Sequence, residues 1–466
     1  MNPWTDVKSD GVTTTAIATV KLEHVSVGGN YKALVLLNND VDATTKKVTL
    51  PTASTDTYAN WSKDVSKVDA VNYAKTDGIF MANAPMYSTT EEPTTLVVIK
   101  GVYASQEEAQ AKPATTIYVE RGLAKVTMKD FKTDGYSIDA GTYAGGNVEI
   151  KKWQLDVTNK YTFPVHQIGG LSSAPTGFAD IWKTDRFYDQ TSTAFKRVYW
   201  GVDPNYNDAK YQTLANCQNA FNMITNDKVT GAAGEANPQY CLENTFDLDN
   251  MKQGQTTRVV FKAVFTPKGF TGTETFYKIG NNTAIWKEAD LKQQIKTVAL
   301  TAMGITNAEE QKKYGVDLSK GTNISGKAGQ HLIKADNITY SGEAASSKVD
   351  AAAIAAINEK LGLSEAAGIS TYLNGEAYYI ARIKHFNELT PWKAGEAYGT
   401  DNGKYLGRYG VLRNNWYELS VNSVSGLGYP DVPEVKPNLP DDENDQYINV
   451  SVKILSWAKR SQSVDL

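Results

Sequence analysis

Pro430-Asp-Val-Pro-Glu-Val-Lys-Pro-Asn-Leu-Pro440 leads through the acidic run Asp441-Asp-Glu-Asn-Asp445 into Tyr447-Ile-Asn-Val-Ser-Val-Lys-Ile454. In that last stretch Ile448, Val450, Val452 and Ile454 fall on one face, and Asn449, Ser451 and Lys453 on the other. A period of two is the pattern of a strand with one buried face. The four prolines of 430–440 can join neither a ladder nor a helix and hold the chain extended, and the acidic run reads as a solvated patch. Leu455 and Trp457 then shift the phase, and Val464 and Leu466 place apolar side chains at the very end. Residues 448–466 would span roughly 60 Å if extended, against about 20 Å for a usual strand. Two readings follow. Either residues 447–457 are the last strand of their own domain and the rest frays, or the segment adds itself as a strand to another molecule.

Outward from this tail, most of the chain reads as strands. Residues 15–22, 31–37, 95–100, 116–121, 123–128 and 148–157 follow one another with polar turns between them, and Gly122 marks a break or bulge between two of these runs. The alternation in 148–157 slips phase once, near Lys152. Residues 161–265 are loop-rich but contain the strand candidate 258–265, and strands resume at 377–383 and 415–421. Helical spacing occurs in 284–300 and 351–361, as small insertions packing on a sheet edge. The fold class read from this order is mainly β, of sandwich type, with small helical insertions.

Composition excludes several functions. Lys and Arg total 48 against 52 Asp and Glu, so the net charge of −4 lacks the basic excess a nucleic-acid binder needs. No apolar run reaches the roughly eighteen residues of a membrane-spanning helix, and no secretory leader is read at the start of this chain. His24, His166, His331 and His385 are widely scattered and form no metal-ligand pattern, so each reads as a surface or satisfied core residue. Asn39-Asp-Val-Asp42 and Asp247-Leu-Asp-Asn250 lack the glycine and terminal glutamate of a calcium loop and read as acidic turns. No catalytic, cofactor-binding or metal site is read, and no enzyme is expected. Nine Trp and 26 Tyr could instead supply stacking platforms for glycans, although most such rings belong to cores. Cys217 and Cys241 are either two buried thiols or one disulfide. The loop-like stretch between them favours the disulfide, worth about 3 kcal/mol and implying an oxidising compartment.

Several motifs together resemble the Mfa-type minor fimbrium subunits of Bacteroidales, builders of the type V pilus. They are Arg413-Asn-Asn-Trp-Tyr417, Gly426-Leu-Gly428, the proline-rich 430–440 and Val450-Ser-Val-Lys-Ile-Leu-Ser-Trp457, with Val148-Glu-Ile-Lys-Lys-Trp-Gln-Leu-Asp-Val-Thr-Asn159 and Tyr240-Cys-Leu-Glu-Asn-Thr-Phe246 upstream. The resemblance implies two transthyretin-like β-sandwich domains, 1–159 and 160–429, then a linker 430–446 and a C-terminal donor strand 447–466. The N-terminal domain would lack its first strands, since the chain opens almost at the region resembling 13–38. The resemblance further implies a structural subunit that polymerises by donor-strand exchange into a cell-surface fimbrium on the outer membrane, supporting adhesion and biofilm formation. Its precursor would be a lipoprotein, trimmed by a protease. Ile448, Val450, Val452, Ile454, Leu455, Trp457, Val464 and Leu466 would form the donor, entering a groove beside 16–22 and 33–37 of the next copy. Partners would be identical subunits, anchor and tip accessory proteins, the protease, and host or bacterial surface ligands; no cofactor is implied. A non-polymerising adhesin for glycans or proteins is the alternative. A tip role is disfavoured by the complete terminal strand.

Overall fold

A computed structural model of the chain describes residues 4–9, 14–27, 29–39, 47–52, 55–74, 78–85, 94–112, 115–168, 198, 200–206, 210–385, 405–442 and 448–456. The fold is mainly β and centres on two four-stranded sheets. Their strands are β1 (Ala124–Met128), β2 (Tyr136–Ser137), β3 (Asn147–Asp156), β4 (Gln239–Cys241), β5 (Arg258–Thr266), β6 (Glu376–Arg382), β7 (Asn415–Val424) and β8 (Ile448–Ser456). One sheet has the order β2-β3-β5-β6, the other β4-β1-β7-β8. All pairings are antiparallel except β1 with β7.

One apolar core lies between the sheets. Trp153, Phe261, Phe265 and Tyr379 enter it from the first, and Val126, Met128, Tyr417 and Leu419 from the second. Alternation makes this possible, because every second side chain of a strand points inward. The phase slip read near Lys152 is a β-bulge: the β3–β5 register shifts between Ile150 and Lys152. The sandwich draws strands from both sides of residue 159, since β3 pairs along its whole length with β5. The chain is thus not parted into separate sheet systems at that point.

Between β5 and β6, which are direct neighbours, the chain inserts a compact module. A five-stranded sheet includes Phe276–Ile279, Ile369–Tyr372 and Lys327–His331, and helices α1 (Glu288–Ala302) and α2 (Ala351–Lys360) pack beside it. Leu291, Ile295 and Ile357 share a separate core with Ile369 and Tyr277. The helical stretches read from sequence therefore do belong to an insertion, and they bring their own sheet with them. Asp350 caps α2 by accepting from the Ala353 amide at 2.8 Å.

The N-terminal part is built from short pieces. Trp4–Ser9 and Thr14–Ala18 form a two-stranded sheet of their own. The continuous run expected over 31–37 is divided into Tyr31–Ala33 and Leu36–Leu37, which join different sheets. Asn83 is the cause: its buried amide accepts from Val35 N–H at 2.8 Å and donates to Ala33 O and Thr95 O, displacing the ladder bonds there. Gly122 is a switch between sheets, with Val119–Arg121 pairing with Met81–Asn83 while β1 enters the sandwich. A Cβ at Gly122 would stand 2.8 Å from Phe80, so the chain needs glycine to cross there. No described helix is long and apolar enough to cross a membrane.

The disulfide expected from the sequence is not formed. Cys217 lies in the helix Leu214–Ala220, in a small core with Val157, Tyr211 and Phe221, whereas Cys241 ends β4 inside the sandwich. The stretch between them is also more structured than a loop, holding part of that helix, a helical turn at Asn226–Lys228 and the first residues of β4. With the bridge goes the compartment argument drawn from it. Burial pushes both thiols up, to about 11 for Cys217 and about 12 for Cys241, so each stays protonated and unreactive. The native protein should therefore resist a thiol reagent and titrate two thiols once unfolded; a single bridged pair on intact-mass measurement would contradict this.

Candidate assembly strand and its anchorage

β8 is the last strand of its sheet among the described residues, and β7 holds it in antiparallel register from Ile448 opposite Val424 to Ser456 opposite Asn415. Ile448, Val450 and Val452 are 3, 6 and 8% exposed and lie in the sandwich core, while Ser451 and Lys453 face outward. The face assignment made from alternation is thus met within the parent fold. Ile454 and Leu455 continue the backbone of β8. Trp457, Val464 and Leu466 lie outside the described residues. Burial of the three aliphatic side chains contributes about 5–9 kcal/mol gross at 1.5–3 kcal/mol each, before ordering costs.

The proline-rich segment is a strap bound to its own sandwich rather than a free leash. Tyr429 and Tyr378 exchange two backbone hydrogen bonds at 2.7 and 2.8 Å, extending the β6 edge. Val432 packs with Val260, Tyr378 and Ile380, and Val435 with Val157, Cys217 and Phe221. Arg258 donates to Pro433 O at 2.7 Å and to Asp156 at 2.8 Å. Gln253 N–H donates to Leu439 O at 3.0 Å. The acidic patch expected after the prolines is not solvated where it starts, since Asp441 and Asp442 are 1 and 3% exposed. Asp441 accepts from the Thr256 hydroxyl at 2.8 Å. Asp442 accepts from Arg408 Nη1 at 3.0 Å and from the Tyr409 hydroxyl at 2.7 Å. Alternation and proline content signal the strand and the strap, but nothing local marks these two aspartates as buried.

The Arg413–Tyr417 motif forms the corner that delivers the chain into β7. Asn414 adopts a left-handed conformation, φ 59°, and its side-chain Oδ1 accepts from Arg121 N–H at 3.2 Å. Trp416 donates to Thr127 Oγ1 at 2.7 Å beneath Lys125, whose ammonium stands 3.8 Å from the ring centroid. Tyr417 is buried, with its hydroxyl 2.8 Å from His385 Nδ1 and accepting from Leu412 N–H. Arg413 Nε donates to Glu243 at 3.0 Å, both groups almost fully buried. Glu243 belongs to the second motif, Tyr240–Phe246, so the two motifs are joined in space by an ion pair. His166 completes this group, with Nδ1 2.6 Å from Glu120 and Nε2 3.8 Å from Glu243. Among the described residues no cluster of three His, Cys, Asp or Glu could hold a metal. Asp247 caps a turn by accepting from the Asp249 and Asn250 amides, each at 3.1 Å.

Next to this group, burial raises the Asp203 carboxyl to about 8, and Glu243 adds to the rise. Hydrogen bonds from Thr245, Asn205 and Asn159 act in the other direction. The unfolded chain loses this proton near about pH 4, whereas the folded chain keeps it to about 8. The fold binds the extra proton between those limits, so this contribution to stability falls as pH rises through them. Denaturation midpoints measured from pH 5 to 8 should decline less for Asp203→Asn than for the unmodified chain. Equal slopes would contradict the assignment.

Residues 370–463 match the family model described as major fimbrial subunit protein type IV, fimbrillin, C-terminal. That segment spans β6, β7, the strap and β8 and contains the Arg413, Gly426 and Val450 motifs, so it is here that the chain is similar to the fimbrillins. The matched family is thus described as one of fimbrial structural subunits. Its description names the major subunit where the sequence motifs pointed to the minor one. A fimbrilin from Porphyromonas gingivalis is similar at 11% identity, covering 92% of this chain and 81% of that one with a TM-score of 0.34. A protein described as a candidate cell adhesion protein, from Parabacteroides distasonis, is similar at 11% identity, covering 97% and 86% with a TM-score of 0.35. Another so described, from Bacteroides eggerthii, gives 11% identity, 97% and 87% coverage and a TM-score of 0.33. No curated protein matches the chain.

Proposed function

We propose that this protein is a structural fimbrial subunit that polymerises by strand exchange. β8, with the residues after it, leaves its own sheet and completes the N-terminal part of the next copy, beside 16–22 and 33–37. The observation that carries this reading is the position of β8: among the described residues it is an outermost strand, joined to its domain by a single ladder, with Ile448, Val450 and Val452 buried on its inner face. A strand so placed can trade one sheet for another of the same chemistry, as in domain swapping. The acceptor side is supported by Val20, Leu22 and Val27, which are 66, 41 and 71% exposed. Apolar side chains left exposed within eight residues of one another in the chain are available for a partner to cover. Export as a lipoprotein, proteolytic trimming, display on the outer membrane, anchor and tip partners, and a role in adhesion and biofilm formation belong to the same proposal. So does a division of labour between an accepting N-terminal part, ahead of β1, and the sandwich that donates β8.

The sequence alone leads one to expect that removing 447–466 leaves a folded, soluble monomer that cannot join polymers. With Ile448, Val450 and Val452 in the core, that truncation should abolish fibres and, beyond that expectation, lower the unfolding midpoint. Electron microscopy and thermal melting of the truncated protein read the two effects. Fibres formed without the segment would contradict the proposal.

A further inference from the structure

The strap and β8 are adjacent in sequence but held by different means. Residues 429–442 are held by backbone bridges to Tyr378 and Lys252, by Arg258 at Pro433, and by two small apolar cores. This series ends at Asp442, fixed by Arg408 and Tyr409, each 3% exposed. Beyond it, β8 depends on β7 and on the inward side chains Ile448, Val450 and Val452.

We propose that Asp442, gripped by Arg408 and Tyr409, is the anchor at which the exchanging segment begins, so that the strap stays on its own subunit when β8 departs. This rests on the strand-exchange reading and adds a positioning residue to it. The buried charge pair suits the task. Pulling Asp442 out would leave Arg408 without this carboxylate in a nearly dry site, a far larger penalty than breaking an exposed pair. An anchored start also limits reach. Six backbone steps separate Asp442 from Ile448, about 20 Å when extended, so the slot that receives Ile448 must open within that distance of the donor's Asp442. Without the anchor the strap would peel off as well, and the junction would lose its fixed spacing.

Hydrogen exchange read by mass spectrometry on the full-length monomer tests this. In the unmodified chain, the hydrogen-bonded strap amides, Leu439 and Asp441, should exchange at least about tenfold more slowly than the ladder amides of 449–456, because β8 opens while the strap stays bound. Asp442→Asn and Arg408→Gln should bring the strap to within about threefold of β8. Tyr409→Phe, which keeps the ion pair, should retain most of the difference. The ratio between two segments of one molecule is the readout, since uniform destabilisation raises both rates together. Equal rates in the unmodified chain, which needs no variant to fold, would overturn the anchor, as would a ratio unchanged by Asp442→Asn. The rates are read on the monomer, so they decide the anchor even where an assembly experiment refutes strand exchange.

Discussion

Oxidised protein carrying Ser420→Cys and Ser451→Cys should fold, remain monomeric where the unmodified chain forms fibres, and regain assembly on reduction. The two positions are direct partners across β7 and β8. Facing residues of an antiparallel pair lie about 4.5–5.5 Å apart, within reach of a disulfide. Ser451 is exposed and Ser420 half-buried, so the bridge stays out of the core. Burial holds the native Cys217 and Cys241 thiols protonated, which keeps them from competing for the new partners. A strand stapled to its own sheet can enter no other, so fibre yield should fall on the order of a hundredfold, a loss set by residual unlocked protein. Fibres at ordinary yield from fully locked protein would refute strand exchange while leaving the two-sheet fold untouched.

Arg413→Met should be the most destabilising single substitution away from the strand. Glu243 would then sit buried with its ion-pair partner gone and His166 Nε2 still 3.8 Å away. Removing one member of a buried ion pair costs about 3–5 kcal/mol, because the stranded charge keeps its desolvation penalty. Chemical denaturation of the variant reads this directly, and a loss below about 1 kcal/mol would show that the pair does not bind the two motifs together. The effect should shrink for Arg413→Met combined with Glu243→Gln, since coupled partners are not additive.

Much of the sandwich is readable in the sequence because its strands alternate or run apolar over seven or more residues. Asn147–Asp156, Arg258–Thr266, Glu376–Arg382 and Asn415–Val424 all fall on stretches chosen from pattern alone. Even the bulge after Ile150 appears as a slip in alternation. What pattern does not carry is partnership. The run 31–37 looks like one strand until Asn83, some fifty residues later, takes the hydrogen bonds in its middle. Gly122 reads as a local irregularity, although its function is to pass the chain from one sheet to another past Phe80. Asp441 and Asp442 look solvated in an acidic run, and it is partners distant in sequence, Thr256, Arg408 and Tyr409 among them, that make their burial tolerable. The cysteines mislead for a related reason: a loop rich in Gly and Pro suits a bridge, but each thiol is claimed by a different core. The tail is the converse case. Its alternation predicts the buried face of β8 correctly, yet a face is the same whichever sheet receives it.

That ambiguity is what assembly has to resolve, and photocrosslinking in the fibre addresses it most directly. A benzophenone amino acid replaces Lys453, on the outward face of β8, and fibres are grown from an equal mixture of light and nitrogen-15-labelled subunits. Mapping the crosslinked peptides by mass spectrometry then shows which chain lies beside the strand. Strand exchange predicts mixed-isotope pairs joining the 448–456 peptide of one copy to residues 14–37 of another. Crosslinks confined to 415–424 of the same chain, in fibres that have fully assembled, would contradict it.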